Sequence, residues 1–210
     1  MSRRRKADAA ANARAYDLTA PTPPQVALPA WLPRVFDRFC RSLSRTLTAT
    51  FHQHARVALI SSDGLRFDDL VAGFPWPSCA GLAGDGALVI FDAKLVYRLV
   101  ELSFGGAKGP QGKPRATPEP VEAFTPIELS VSALVMRQVL AELVAAWSEV
   151  GELRIAFTRC ESNPKLIDVF HVGEVVVSTT FDLEIGGVRG VFCLALAERL
   201  VERRDGRRIA

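Results

Sequence analysis

Phe124-Thr125-Pro126-Ile127-Glu128 opens an apolar run that reaches Trp147, and it is the clearest local signal in the chain. Thr125 is a good N-cap, and Pro126 suits the first helical position, where its missing N–H is not needed. Glu128 stands where it can close a capping box back onto Thr125. The spacing predicts a helix from 125 to about Glu149, with Gly151 just beyond it. Leu129, Met136, Leu140, Leu143 and Trp147 share one face, and Val131, Leu134, Val135 and Val139 widen it. Such a helix is buried on more than one side.

Upstream, Val35, Phe36, Phe39, Leu43, Leu47 and Phe51 recur three and four apart, which predicts a helix over 31–54. Arg56–Ser61 reads as a strand, Asp63–Gly64 as a turn and Leu65–Ala72 as a short helix. Phe74-Pro75-Trp76-Pro77 forbids a central strand, because neither proline can donate to a ladder. Ala87–Phe91 reads as a buried strand. Asp92 caps a helix over Ala93–Phe104, and Gly105 and Gly106 end it. Beyond the central helix come strands at Leu153–Arg159, Glu174–Ile185 and Val188–Leu196, with a loop around Asn163–Pro164. The last two strands form a hairpin across Gly186–Gly187, and a final helix begins near Ala197.

The two halves resemble each other. Arg56-Val57-Ala58-Leu59 recurs as Arg154-Ile155-Ala156-Phe157, and Leu99-Val100-Glu101 as Leu200-Val201-Glu202. The order helix, strand, short helix or loop, strand, strand, helix occurs twice. The expected fold class is α/β, a pseudo-twofold α/β/α sandwich built from two similar halves. One half alone could not bury its sheet face. The expected organisation is a disordered basic and proline-rich arm over 1–30 and a domain over 31–204, followed by a tail over 205–210. The halves span 31–106 and 124–204, joined by a linker over 107–123.

Charge narrows the function. The chain carries +3 overall, but residues 1–14 hold +4 and residues 199–210 hold +3, which leaves −4 for the body. A nucleic-acid groove needs cations concentrated on the folded surface, so no nucleic-acid partner is expected. The basic ends could weakly favour an anionic membrane surface or a nucleic acid. Cys40, Cys79, Cys160 and Cys193 contain no CxxC pair and no signal-peptide core precedes them, so free thiols in a reducing cytoplasm are expected, and no zinc site. The most apolar window, Ala87–Phe104, is broken by four charged residues, and no segment offers ~18 unbroken apolar residues.

Catalytic signatures fail on inspection. Ala107–Pro114 nearly spells a phosphate-binding loop around Gly112–Lys113, but Ala107 replaces its first glycine and Pro114 its metal-binding hydroxyl. Gly84-Asp85-Gly86 continues to Val89 rather than glycine, and no G-x-S-x-G elbow is present. His52 and His54 do not share a helix face. His171, set among apolar residues, reads as structural, and Asp63, Asp68 and Asp69 as capping and solvated groups. No catalytic residue, metal ligand or cofactor is expected.

Several blocks together resemble the middle domain of the flagellar motor switch protein FliM family. Arg38-Phe39-Cys40-Arg41-Ser42-Leu43-Ser44-Arg45-Thr46-Leu47 looks like its first helix, with Tyr16-Asp17 similar to the lead-in. Phe124–Glu128 matches the start of its central helix. Glu161-Ser162-Asn163-Pro164, Val175–Ser178 and Phe181–Gly186 look like its second-half signature. Phe104-Gly105-Gly106 sits where the family carries a Phe-Gly-Gly-x-Gly loop. The match covers roughly 31–204. It implies a CheC-like fold, a ring protein of the flagellar switch, and a peripheral location on the cytoplasmic face of the inner membrane at the basal body. It implies that Phe104, Gly105, Gly106 and Gly109 contact a FliG-type rotor protein, and that neighbouring copies touch laterally. Phe104 is expected to anchor the base of that loop in the core.

Three departures stand out. Gly105-Gly106-Ala107-Lys108-Gly109 is one residue longer than the family loop. The peptide that captures the response regulator CheY is not recognisable in residues 1–15, so that partner stays open. The C-terminal β domain that pairs with FliN has no counterpart before Ala210, so the chain reads as either trimmed or a short family member, and the FliN contact lacks its usual carrier. The rival readings are a CheC-type response-regulator phosphatase and a partner-binding α/β adaptor outside motility. The phosphatases carry Glu-x-x-Asn on a helix, whereas Glu128 is followed three residues later by Val131, which has no amide to orient water.

Overall fold

The computed structural model of the chain describes residues 26–74, 77–84, 86–106 and 123–202. The first half runs α1 (Leu32–Phe51), β1 (Ala55–Arg66), α2 (Phe67–Gly73), β2 (Ser78–Ala83), β3 (Ala87–Asp92) and α3 (Ala93–Ser103). The second runs α4 (Pro126–Trp147), β4 (Phe157–Glu161), a 3-10 turn at Pro164–Leu166, β5 (Val175–Ile185), β6 (Val188–Ala197) and α5 (Glu198–Glu202). The first 25 residues, the linker from 107 to 122 and residues 203–210 lie outside the described residues.

The six strands form one antiparallel sheet in the order β1-β5-β6-β3-β2-β4. Exchanging β1 with β4, β2 with β5 and β3 with β6 reads the same order backwards. The pseudo-twofold therefore passes between β3 and β6, and each half also lends its first strand to the other, at β1–β5 and at β2–β4. Both short matches are out of register, however. Arg154–Ala156 precede β4, and Phe157, opposite Ala83, is the counterpart of Ala55, opposite Ile185, rather than of Leu59. Since α3 begins directly after Asp92 and α5 directly after Ala197, the counterpart of Leu200–Val201 is Leu95–Val96, one turn before Leu99–Val100.

Alternation along the central strands sorts the two faces. Val89, Phe91, Phe192 and Leu194 join the main core beneath α1, α3 and α4. Leu88, Ile90, Cys193 and Ala195 face a thinner layer made by Phe67 and Leu70 of α2 with Ile167 and Phe170. Both faces of β3 and β6 are covered, and their near-continuous apolar runs follow from that. α4 is long and apolar enough by composition to cross a membrane. Here it packs on α1, α3, β2 and β4. Its capping box is formed, with the Thr125 amide donating to Glu128 Oε2 at 2.6 Å.

Three elements differ from the expectation. The strand expected over Leu153–Arg159 begins only at Phe157, where pairing with β2 begins, and runs on to Glu161. Asp63–Gly64 does not turn; it pairs with Ser178 and Val177, and β1 continues to Arg66. β5 offers a long partner, and a bulge between Leu59 and Ser61 absorbs the irregularity without breaking the ladder. Ser78–Ala83 is a strand although it contains no β-branched or aromatic residue. It lies between β3 and β4, and all six positions are buried, so tertiary pairing overrides its weak local preference.

α1 and α4 run antiparallel along a polar seam. Arg38 pairs with Glu149, Ser42 and Thr46 donate to Glu142, and Gln138 Nε2 donates to Thr50 Oγ1 at 3.2 Å. α1 also covers the open edge of β1. The Ala55 amide donates to Thr48 Oγ1 at 3.1 Å and the Val57 amide to Ser44 Oγ at 2.9 Å, while the Leu59 amide meets the Cys40 thiol. Four helical residues rise ~6 Å and two strand residues ~6.8 Å, so acceptors at 40, 44 and 48 keep step with alternate edge amides. Burial, with Asp37 nearby, pushes the Cys40 thiol up to about 12, so it stays protonated at neutral pH. Replacing Ser44 with Ala leaves the Val57 amide unpaired beside a buried side chain. Urea denaturation should show a loss of about 1–2 kcal/mol.

Candidate functional site

The corner at the end of α3 is assembled from both halves of the sheet. Asp92 starts α3: its Oδ1 accepts from the Leu95 amide at 2.7 Å, and its Oδ2 accepts from the Val191 amide of β6 at 3.0 Å. Burial raises the Asp92 carboxyl above its ordinary range, against those two bonds, which favour the anion. Leu95, Leu99 and Leu102 then share the buried face.

At the other end the Gly106 amide donates to Glu101 O at 2.8 Å and the Gly105 amide to Leu102 O at 3.2 Å. Gly105 has φ +78°. This is the Schellman arrangement, which satisfies the last carbonyls of a helix. A Cβ on Gly106 would stand 2.8 Å from the Glu101 carbonyl oxygen, so that glycine is demanded by the cap itself. Gly106→Val would therefore strain the fold and cannot isolate a binding role.

Phe104 is not a core anchor. Its side chain is 71% exposed. At ~100° per residue, two positions past Leu102 swing it ~200° from the buried stripe, away from the sheet. Gly105 is exposed, Gly106 is half-buried, and Gly109 lies outside the described residues. The structure thus brings Phe104, Gly105 and Gly106 together as one projecting corner.

Arg98 holds that corner, and the sequence reading passed it over as a break in an apolar window. It is 5% exposed. Its Nη2 donates to Gly186 O at 2.9 Å and its Nη1 to Glu101 Oε2 at 2.6 Å, with longer contacts to Gly106 O and Ile185 O. Gly186 and Gly187 take φ +55° and +79°, the two positive values of a type I′ hairpin. A Cβ on Gly186 would stand 2.3 Å from Arg98 Nη2. The legible signal was a lone cation on the apolar stripe, three residues after Leu95.

The other sequence candidates are scattered. His52 closes α1 at φ +51°, and His54 and His171 are exposed. Asp68 Oδ2 accepts from the Gly173 amide at 2.8 Å, and Asp63 lies exposed on β1. An open groove of roughly 580 Å³ between α1 and β1 is lined by Arg41, Arg45, His54 and Arg56 without a carboxylate. Among the described residues Glu128 is committed to its capping box and Val131 is buried.

The chain is a pseudo-twofold α/β sandwich with an aromatic ring exposed at the corner that ends α3. The sequence pattern of the family described as flagellar motor switch protein FliM matches residues 29–203, and the chain belongs to that family. It is similar to the FliM of Pseudomonas aeruginosa, with 29% identity over 194 residues, covering 90% of this chain and 58% of that one. The crystal structure of the FliM middle domain from Vibrio alginolyticus superposes with a TM-score of 0.68 at 25% identity, covering 82% of this chain and 96% of that one. A FliG–FliM complex from Helicobacter pylori shares the fold, with a TM-score of 0.70 at 18% identity over 81% of this chain and 92% of that one. The chain spans about half the length of the curated relatives it matches.

Removing the Arg98 fork should loosen this corner. Arg98→Met strands the Gly186 carbonyl and Glu101, and urea denaturation should show a loss of about 2–4 kcal/mol. The partial exposure of Glu101 keeps the loss below that of a fully buried pair.

Proposed function

We propose that the chain is a ring component of a bacterial flagellar motor switch whose Phe104–Gly106 corner, continuing towards Gly109, contacts a FliG-type rotor protein. Neighbouring copies associate laterally, and the assembly couples chemotaxis signalling to rotation. It lies peripherally on the cytoplasmic face of the inner membrane, at the flagellar basal body. The observation that carries this reading is the exposed Phe104 ring on a corner stiffened by the Schellman cap and by Arg98. A large aromatic ring held outward loses little freedom on docking, which is the character of an interface hot spot. The FliG–FliM complex with the same fold supports the choice of partner. Contacts with CheY and FliN are not assigned to these residues.

The reading is non-enzymatic. A phosphatase of the related type needs a carboxylate and an amide one turn apart on an accessible helix. Glu128 is tied back to Thr125, and Val131 fills the amide position.

Phe104→Ala should weaken FliG binding, measured by calorimetry, ~10–30-fold while leaving the urea midpoint unchanged. Undiminished affinity in the folded variant would falsify the docking role. In a second assay the purified chain should leave the lifetime of a response regulator's aspartyl phosphate unaltered. Concentration-dependent shortening would restore the phosphatase reading.

A further inference from the structure

Three sulfurs converge beneath α4. Met136 places its Sδ 3.5 Å from the Sγ of Cys160 on β4. Cys79 of β2 is fully buried in the same core layer. Strand register sets Gly81 opposite Cys160, so Cys79 is the diagonal neighbour of Cys160 on one sheet face. Gly81 makes the room: a Cβ there would stand 2.4 Å from Met136 Sδ. One turn before Met136, the buried Ser132 hydroxyl lies beside Cys79 and helps draw its thiol down.

The two thiols sense each other. Cys160 is pushed up by Cys79 beside it and by burial, and Cys79 is drawn down, first by Cys160. The thiols hydrogen-bond to each other, so their sulfurs already lie close. Diagonal backbone neighbours on antiparallel strands stand ~7–8 Å apart, at the upper limit for a disulfide, whereas a shared ion tolerates that spacing by adding two bond lengths between the sulfurs.

We propose that Cys79, Cys160 and Met136 form a three-coordinate site for a soft monovalent metal ion of the copper(I) class. Two thiolates and a thioether are the soft donors that select such an ion. Three sulfurs around one ion at ~2.3 Å stand ~4 Å apart, close to the spacing already present between Cys160 and Met136. Binding breaks two S–H bonds, forms two metal–thiolate bonds and one thioether bond, and releases two protons to solvent. The complex then carries one negative charge. Arg137, whose guanidinium lies 4.6 Å above the Phe157 ring, favours the Cys160 anion and sits close enough to offset it. A hard or tetrahedral ion lacks its ligands, since among the described residues no three His, Cys, Asp or Glu side chains converge. Entry is from the sheet edge, where Cys160 is half-buried on β4.

The test is an anaerobic titration of the purified chain with copper(I) against a chromogenic chelator, followed by ultraviolet thiolate-to-copper absorption. One ion per chain is expected, with a rise in Tm. Met136→Leu is nearly isosteric and should remain folded, yet bind copper(I) ~100-fold or more weakly, beyond the effect of losing an outer partner. Cys160→Ser, at a half-buried edge position, should abolish the absorption band. No uptake by the unaltered chain, unchanged affinity in Met136→Leu, or zinc bound as tightly as copper(I) would each overturn the site.

Discussion

Phe192 is the contact on which both halves depend. It pairs across the pseudo-twofold with Phe91 of β3 and stacks on Phe181 of β5, with ring centroids 4.9 Å apart. Phe181 in turn meets Phe36 and Phe39 of α1 edge-on. All five rings are essentially inaccessible to water. Each aromatic side chain buries 150–250 Å² on average, the largest hydrophobic contribution per residue available to a core. Neither half could hide these rings alone, because β3 belongs to one and β6 to the other. The halves join along β3–β6 and again at β1–β5 and β2–β4, so neither half completes its part of the sheet without the other.

Around that core, polar groups are satisfied by contacts distant in sequence. The edge of β1 is answered by side chains of α1 at intervals of four, so an open strand is covered without another strand. The end of α3 is tied to the β5–β6 turn by one buried guanidinium. These two devices meet at the β5–β6 turn, where Ile185 pairs with Ala55 and the Gly186 amide donates to His54 O. The second bears on function, since it holds the backbone from which Phe104 projects.

What was legible early was local. Thr125–Glu128 announced its capping box, Asp92 its N-cap and Gly186–Gly187 its hairpin, because each forms from neighbours in sequence. The halves were visible because element order repeats even where short matches slip out of register. Ser78–Ala83 was illegible, since its strand character comes from β3 and β4 rather than from its own side chains. Asp63–Gly64 looked like a turn because the residues that keep it extended, Ser178 and Val177, lie more than a hundred positions away. Phe104 was misassigned to the core because an apolar type says nothing of helical phase at a C-cap, whereas counting from Leu102 would have turned it outward.

By itself, then, the sequence determined the element order, the caps and turns, the charge of the ends and the family to which the chain belongs. All of these rest on residues a few positions apart or on patterns repeated along the chain. Only the tertiary structure decided the sheet order, the buried role of Arg98, the outward ring of Phe104 and the meeting of Cys79, Cys160 and Met136. Those depend on strand register and on helices crossing the sheet. A residue's distant neighbours are chosen by the fit of the whole core, and no local preference contains that information.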